Sequence, residues 1–181
     1  MHVGRMDKDD IEKWSKRYDD EYEQRLQAIQ DDLYTALHDR GYLTQDEVVD
    51  AIRWKLDAQG GRRSGNIKKV RNLPEAFVEK VTETALLVED PKVQASTLDS
   101  IPGVGAATAS AILTFYDPEN YAVGDRYLMD EFLDKARTMG IADYPKILQA
   151  LQDRNPGGYD LRTVEKAYWK RYTVENDVGN W

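Results

Sequence analysis

Apolar residues along the chain recur at helical spacing, and the alternation expected of strands is nearly absent. Ile11, Trp14, Tyr18, Tyr22, Leu26, Ile29, Leu33 and Leu37 fall three or four positions apart, which predicts one long polar helix from Asp7 to about His38, ended by Gly41. Thr44 and Glu47 form a capping box for a helix through "VVDAIRWKL". "DAQGGRRSGNIKKVRN" then breaks the pattern with three glycines and reads as a flexible loop. Helical spacing resumes after Pro74 and continues to Leu87. Asp90-Pro91 opens a short helix with proline in its first turn. Further helices are expected from Thr108 to about Tyr116, from an Asp125 cap through Ala136, from Pro145, and from Asp160 or Leu161 through "TVEKAYWKRY". The fold class is all-α. The expected organisation is an acidic N-terminal helix over residues 1–41 followed by a helical domain over 42–181, together one compact unit.

Charge changes this picture in one place. The 181 residues carry 33 acidic and 25 basic side chains, a net charge of −8. Residues 53–72 nevertheless hold 7 basic groups against a single acid, Asp57, while residues 1–50 hold 7 against 14. A basic island therefore sits in an acidic chain. Arg62, Arg63, Lys68, Lys69 and Arg71 are its candidate phosphate contacts, with a solvated charge run as the alternative. The acidity itself reads either as a solubility device or as adaptation to a high-salt cytoplasm, where counterion-release binding weakens and backbone hydrogen bonds to phosphate gain weight.

Composition removes several chemistries. With no cysteine there are no disulfides, thiolate metal sites or cysteine nucleophiles. His2 and His38 are far apart in sequence, so a histidine-based zinc site is not expected. No run of apolar residues reaches membrane-spanning length, and the first residues lack the apolar core of a secretory signal; the expected location is cytoplasmic.

The most specific stretch is "STLDSIPGVGAATASAILTFYDPENYAVGD", Ser96 to Asp125. Neither a dinucleotide fingerprint nor a Walker loop fits it. The preceding "TLDSIP" is no strand, Thr108 stands where a third glycine belongs, and no Gly-Lys-Ser/Thr follows. Two short helices joined by a tight glycine turn fit better. Gly103 and Gly105 allow the turn, Ala106, Ala107, Ala109 and Ser110 allow close helix packing, and backbone N–H groups at the second helix's start offer an anion site. A plain packing corner is the alternative.

"IPGVGAATASAIL" resembles the hairpin of the helix-hairpin-helix (HhH-GPD) DNA glycosylase superfamily, through Pro102, Gly103, Val104, Gly105, Thr108 and Ala109. "DPENYAVGD" resembles the Gly/Pro-rich loop that follows it there, and Asp125 falls at the family's catalytic aspartate. The resemblance covers about thirty residues. It implies DNA as partner, with Gly103, Val104, Gly105, Ala106 and Thr108 gripping the backbone and Asp125 supporting hydrolysis of an N-glycosidic bond. Bifunctional members carry a lysine two residues after the second glycine; here that residue is Ala107, so the implied enzyme is monofunctional, without lyase activity. No cofactor and no iron–sulfur cluster are implied, while a monovalent cation at the hairpin is compatible with the family.

Asp125 can equally be a helix cap. Lys55 is the alternative reactive amine, though a lysine beside Trp54 on an amphipathic helix is more often a solvated residue. Trp54, Tyr121 and Tyr127 are candidates for stacking on a base, with core packing the commoner role. A non-catalytic DNA-binding module and a helical scaffold without nucleic acid stay open beside the glycosylase reading.

Overall fold

The computed structural model describes residues 4–178, and they form an all-α structure: ten α-helices and one 3-10 turn, with no strand among the described residues. The helices are α1 (Lys8–Glu21), α2 (Gln24–Arg40), α3 (Gln45–Lys55), α4 (Gly60–Arg71), α5 (Glu75–Leu86), α6 (Pro91–Asp99), α7 (Ala106–Tyr116), α8 (Arg126–Leu133), α9 (Tyr144–Arg154) and α10 (Leu161–Glu175). The 3-10 turn, Ile141–Asp143, leads into α9. One hydrophobic core runs from Met6 through Leu33, Ile52, Ile112 and Leu128 to Tyr168. Among the described residues no helix is long and apolar enough to cross a membrane. His2 lies outside the described residues.

Local signals set most helix ends. Thr44 and Glu47 make the reciprocal capping box at α3, and Asp90 caps α6 with Pro91 in its first turn. Asp160 accepts the Thr163 N–H at the start of α10, and Gly41, at φ +76°, closes α2. α8 ends at Leu133 rather than Ala136, because Asp134 turns left-handed (φ 51°) and the Lys135 N–H folds back to the Met129 carbonyl.

Two expectations fail where tertiary packing overrides local pattern. The long N-terminal helix is two helices. The chain becomes extended at Tyr22 and Glu23 (ψ 131° at both), although neither glycine nor proline marks the spot. The cause is divided docking: α1 packs along α10, and α2 packs against α7 and α3. Tyr22 holds the break, stacking on Tyr18 at 5.3 Å and accepting a hydrogen bond from the Trp54 indole.

The glycine-rich segment is likewise no loop. Gly60 to Arg71 is α4, helical despite Gly60, Gly61 and Gly65, each of which weakens a helix by up to about 1 kcal/mol relative to alanine. Buried Val70 and half-buried Ile67 dock it, and α4 packs on α3. The consequence is positional. The basic island is carried on a helix, and that helix abuts the glycine hairpin.

Gly103 makes that contact. Its φ is +105°, and a Cβ there would lie 2.5 Å from the Asn66 backbone oxygen and 3.0 Å from Val70. Gly105 differs: its φ is −99°, and a Cβ would meet nothing within 4 Å. Only the first glycine of the pair is required by conformation and space together. Gly103→Ala is therefore expected to destabilise the fold by about 1–3 kcal/mol from backbone strain alone, with the Asn66 clash adding to it. Gly105→Ala is expected to stay within about 0.5 kcal/mol of the wild type. Urea unfolding of the two variants compares them directly, and equal losses would refute the distinction.

Candidate functional site

Residues 117–125 explain the spacing between hairpin and aspartate. α7 carries the chain about 16 Å away from the hairpin at 1.5 Å per residue, and an extended return takes about five residues. Three bonds hold the return in place. The Gly124 N–H donates to Ser110 Oγ at 2.9 Å, one turn into α7. The Val123 N–H donates to Glu165 of α10 at 3.2 Å, and the Tyr144 hydroxyl donates to the Ala122 carbonyl at 3.0 Å. Asp125 is thereby delivered to the hairpin side of α7.

Both oxygens of Asp125 are engaged. Oδ1 accepts from the Tyr127 and Leu128 N–H groups at 2.9 and 3.1 Å, capping α8. Oδ2 accepts from the Trp169 indole at 2.8 Å and faces Lys55 Nζ at 3.5 Å. The Asp125 and Lys55 side chains are each 13% exposed. That corrects the expectation of a solvated Lys55: it ends α3 inside the site, opposite the aspartate.

The two face a cavity of about 1290 Å³. Gly105, Ala106, Ala107 and Thr108 line one side of it, at the start of α7, where no side chain caps the helix. Aromatic rings line another: Tyr18 and Tyr22 from α1, Trp54 from α3, Tyr127 from α8 and Trp169 from α10. Tyr18 meets Trp169 edge-on at 5.6 Å, and Tyr127 meets it at 6.3 Å. Arg62 and Arg126, both exposed, lie at its border.

Behind the aromatic wall is a buried ion pair. Arg162 and Glu165 side chains are 5% and 3% exposed and hydrogen-bonded to each other. Arg162 also donates to the Tyr18 hydroxyl at 3.0 Å and lies over the Tyr18 ring at 5.2 Å. Burial pushes the Glu165 carboxyl above its ordinary range, opposed by the guanidinium beside it. Burial also raises the Tyr18 and Tyr22 hydroxyls and the Asp99 carboxyl on the cavity wall, so these groups stay protonated more readily than in water.

The sequence candidates are partly brought together. Gly105, Ala106, Thr108, Arg62 and Asp125 share the cavity. Gly103 and Val104 do not line it; they set the turn, Gly103 against α4 and Val104 buried in the core. Lys68 and Lys69 are exposed on α4. Arg63 donates to the Asp57 carbonyl at 2.8 Å, and Arg71 pairs with Asp46, so these two are already engaged within the chain. Trp54 and Tyr127 line the cavity, whereas Tyr121 is buried elsewhere and donates to Gln94. Among the described residues no group of three or more His, Asp or Glu could hold a metal ion. At the hairpin, the Ile101 and Gly105 carbonyls accept N–H groups from Val104 and Ala109 at 2.9 Å each.

Tyr18, Tyr22, Arg162, Glu165 and Trp169 were not legible as site residues. Tyr18 and Tyr22 share a helix face, but no local signal joins residue 18 to residue 162. Comparison of the chain with protein-family models, with curated proteins and with solved structures found no match.

The pair behind the wall has a measurable role. Glu165→Gln leaves the Arg162 charge buried without its counter-ion, and the expected loss is about 3–5 kcal/mol of stability. Urea unfolding measures it; a loss below about 1 kcal/mol would mean that solvent reaches the guanidinium.

Proposed function

We propose that the protein binds DNA through the hairpin face and excises a damaged or mispaired base, with Asp125 as the reacting carboxylate. The observation that carries this reading is the shared cavity, in which the Asp125 carboxylate, the start of α7 and five aromatic rings converge. Backbone N–H groups at a helix N-terminus suit a phosphate, Arg62 and Arg126 bring positive charge to the cavity, and Lys68 and Lys69 are exposed on α4. A base unstacked from the duplex enters a pocket of aromatic faces, where stacking is worth roughly 1–3 kcal/mol.

The chemistry follows from charge. As the N-glycosidic bond lengthens, the sugar gains oxocarbenium-like positive charge and the base leaves with the bonding electrons. A fixed carboxylate stabilises that cation and orients the water that adds to C1′. Asp125 is already oriented by two backbone N–H groups and an indole, so no reorganisation is needed as the charge develops.

A non-catalytic DNA-binding module is the second reading. It is favoured by the same three bonds, since Asp125 serves fully as a cap and a brace without any substrate.

Asp125→Asn separates the two. For a glycosylase, base release from a panel of lesion-bearing duplexes should fall by about 100-fold or more, with DNA affinity retained or raised. Excision of no lesion by the wild type, or a lowered melting temperature as the sole effect of Asp125→Asn, favours the binding module. Gly105→Val tests the hairpin under both readings. A Cβ there meets nothing within 4 Å in the free protein, yet the side chain starts beside the α7 amides, and duplex affinity is expected to drop about tenfold, or 1.4 kcal/mol. Unchanged affinity with unchanged helicity would make the hairpin a packing corner.

A further inference from the structure

We propose that Lys55 is an amine nucleophile toward abasic DNA, giving the protein a strand-cleaving lyase activity from a position outside the hairpin. This rests on the DNA-facing role given to the cavity, and it alters the expectation drawn from Ala107. The hairpin indeed offers no amine at that position. The loss is made good from α3, whose last residue reaches the same cavity.

Three features together recommend Lys55 as that amine. Its side chain is largely buried, at 13% exposure; Lys170, which also lines the cavity, is 10% exposed but is held by a hydrogen bond to Glu21. Lys55 lines the cavity with Ala107 and Asp125, so an amine and a carboxylate face one open cleft. Its contact with Asp125 is loose, at 3.5 Å, while Asp125 is held independently by Trp169 and two backbone N–H groups. A sugar entering between them can part the pair without disturbing the aspartate.

The step balances without an oxidant or a metal. The ammonium releases one proton to solvent, and the neutral amine adds to the C1′ aldehyde carbon of the ring-opened abasic sugar. The carbinolamine oxygen leaves as water, forming the C=N bond of an imine. Asp125 is the adjacent base for a C2′ proton. The electrons of that C–H bond form the C2′–C3′ double bond as the C3′–O bond breaks, expelling the 3′ phosphate. Water then hydrolyses the imine, returning the Lys55 amine and releasing an unsaturated aldehyde on the 5′ fragment.

The experiment uses the full chain and a duplex with one preformed abasic site, so it does not depend on base excision. With borohydride present, the wild type should give a covalent protein–DNA adduct, and peptide mass spectrometry should locate it on Lys55. Without reductant, the strand should be cut 3′ to the abasic site. Lys55→Ala and Lys55→Arg should each lower adduct yield at least about tenfold. The arginine keeps the positive charge beside Asp125, so a purely structural lysine would be rescued by it and a nucleophile would not. Helicity and melting temperature of both variants are measured alongside. No adduct from folded wild type, an adduct mapped to another amine, or full yield from Lys55→Arg overturns the inference. An adduct on Lys55 in a protein that excises no lesion supports the lyase and refutes the glycosylase; excision without an adduct does the reverse.

Discussion

The Glu165 carboxylate is the point on which the site depends. It is buried beside Arg162 and accepts the Val123 N–H, two residues before Asp125. Arg162 in turn holds Tyr18 by a hydrogen bond and a ring contact. One ion pair on α10 thus fixes the loop that delivers the carboxylate and the helix that supplies the aromatic wall. Taking two charges out of water is expensive, and such pairs are retained where their geometry is needed as much as their energy. Here the geometry is a cavity that the Asp125 carboxylate faces from the end of the return loop.

The hairpin is fixed from the other side. Gly103 presses against the Asn66 carbonyl of α4, and the left-handed backbone there leaves room for no side chain. This contact sets the start of α7 beside the basic helix. In a chain of net charge −8, phosphate attraction must be local to be felt. Screening confines each charge to about 10 Å at 0.1 M salt. Under the proposed DNA-binding reading, exposed Lys68 and Lys69 on α4, with Arg62 at the cavity border, would supply that locality, while Arg63 and Arg71 stay tied to acids of the same chain. On the same reading the backbone amides at the start of α7 are the second anion contact.

Lys55 shows why side-chain role and sequence neighbourhood diverge. On the helical face of "RWKL" it sits next to a tryptophan and resembles many solvated lysines. Its place at the end of α3 carries it into the cavity instead, because α3 packs on both α7 and α4 and points its end at the hairpin side. The same packing places Trp54 edge-on to Phe115 at 4.8 Å and under the Arg162 guanidinium. Residues 54 and 55 thereby form adjoining parts of one wall.

The sequence by itself determined what local chemistry can determine. Helical periodicity set the fold class; Thr44, Asp90, Asp125 and Asp160 marked four helix starts, because a short polar side chain meets backbone N–H groups within three residues of itself. The interval from Gly103 to Asp125 was marked in the sequence by the family resemblance alone; the helix out and extended return that explain it belong to the structure. Tertiary structure decided the rest. It broke the first helix at Tyr22, because α1 and α2 found different partners. It made a helix of residues 60–71, because burial of Val70 and contact with α3 outweighed three glycines. It brought Trp169 to the aspartate across 44 residues of chain and Arg162 to Tyr18 across 144. Such contacts leave no trace in local pattern, since what selects them is the shape and charge of surfaces that exist only once the helices have packed.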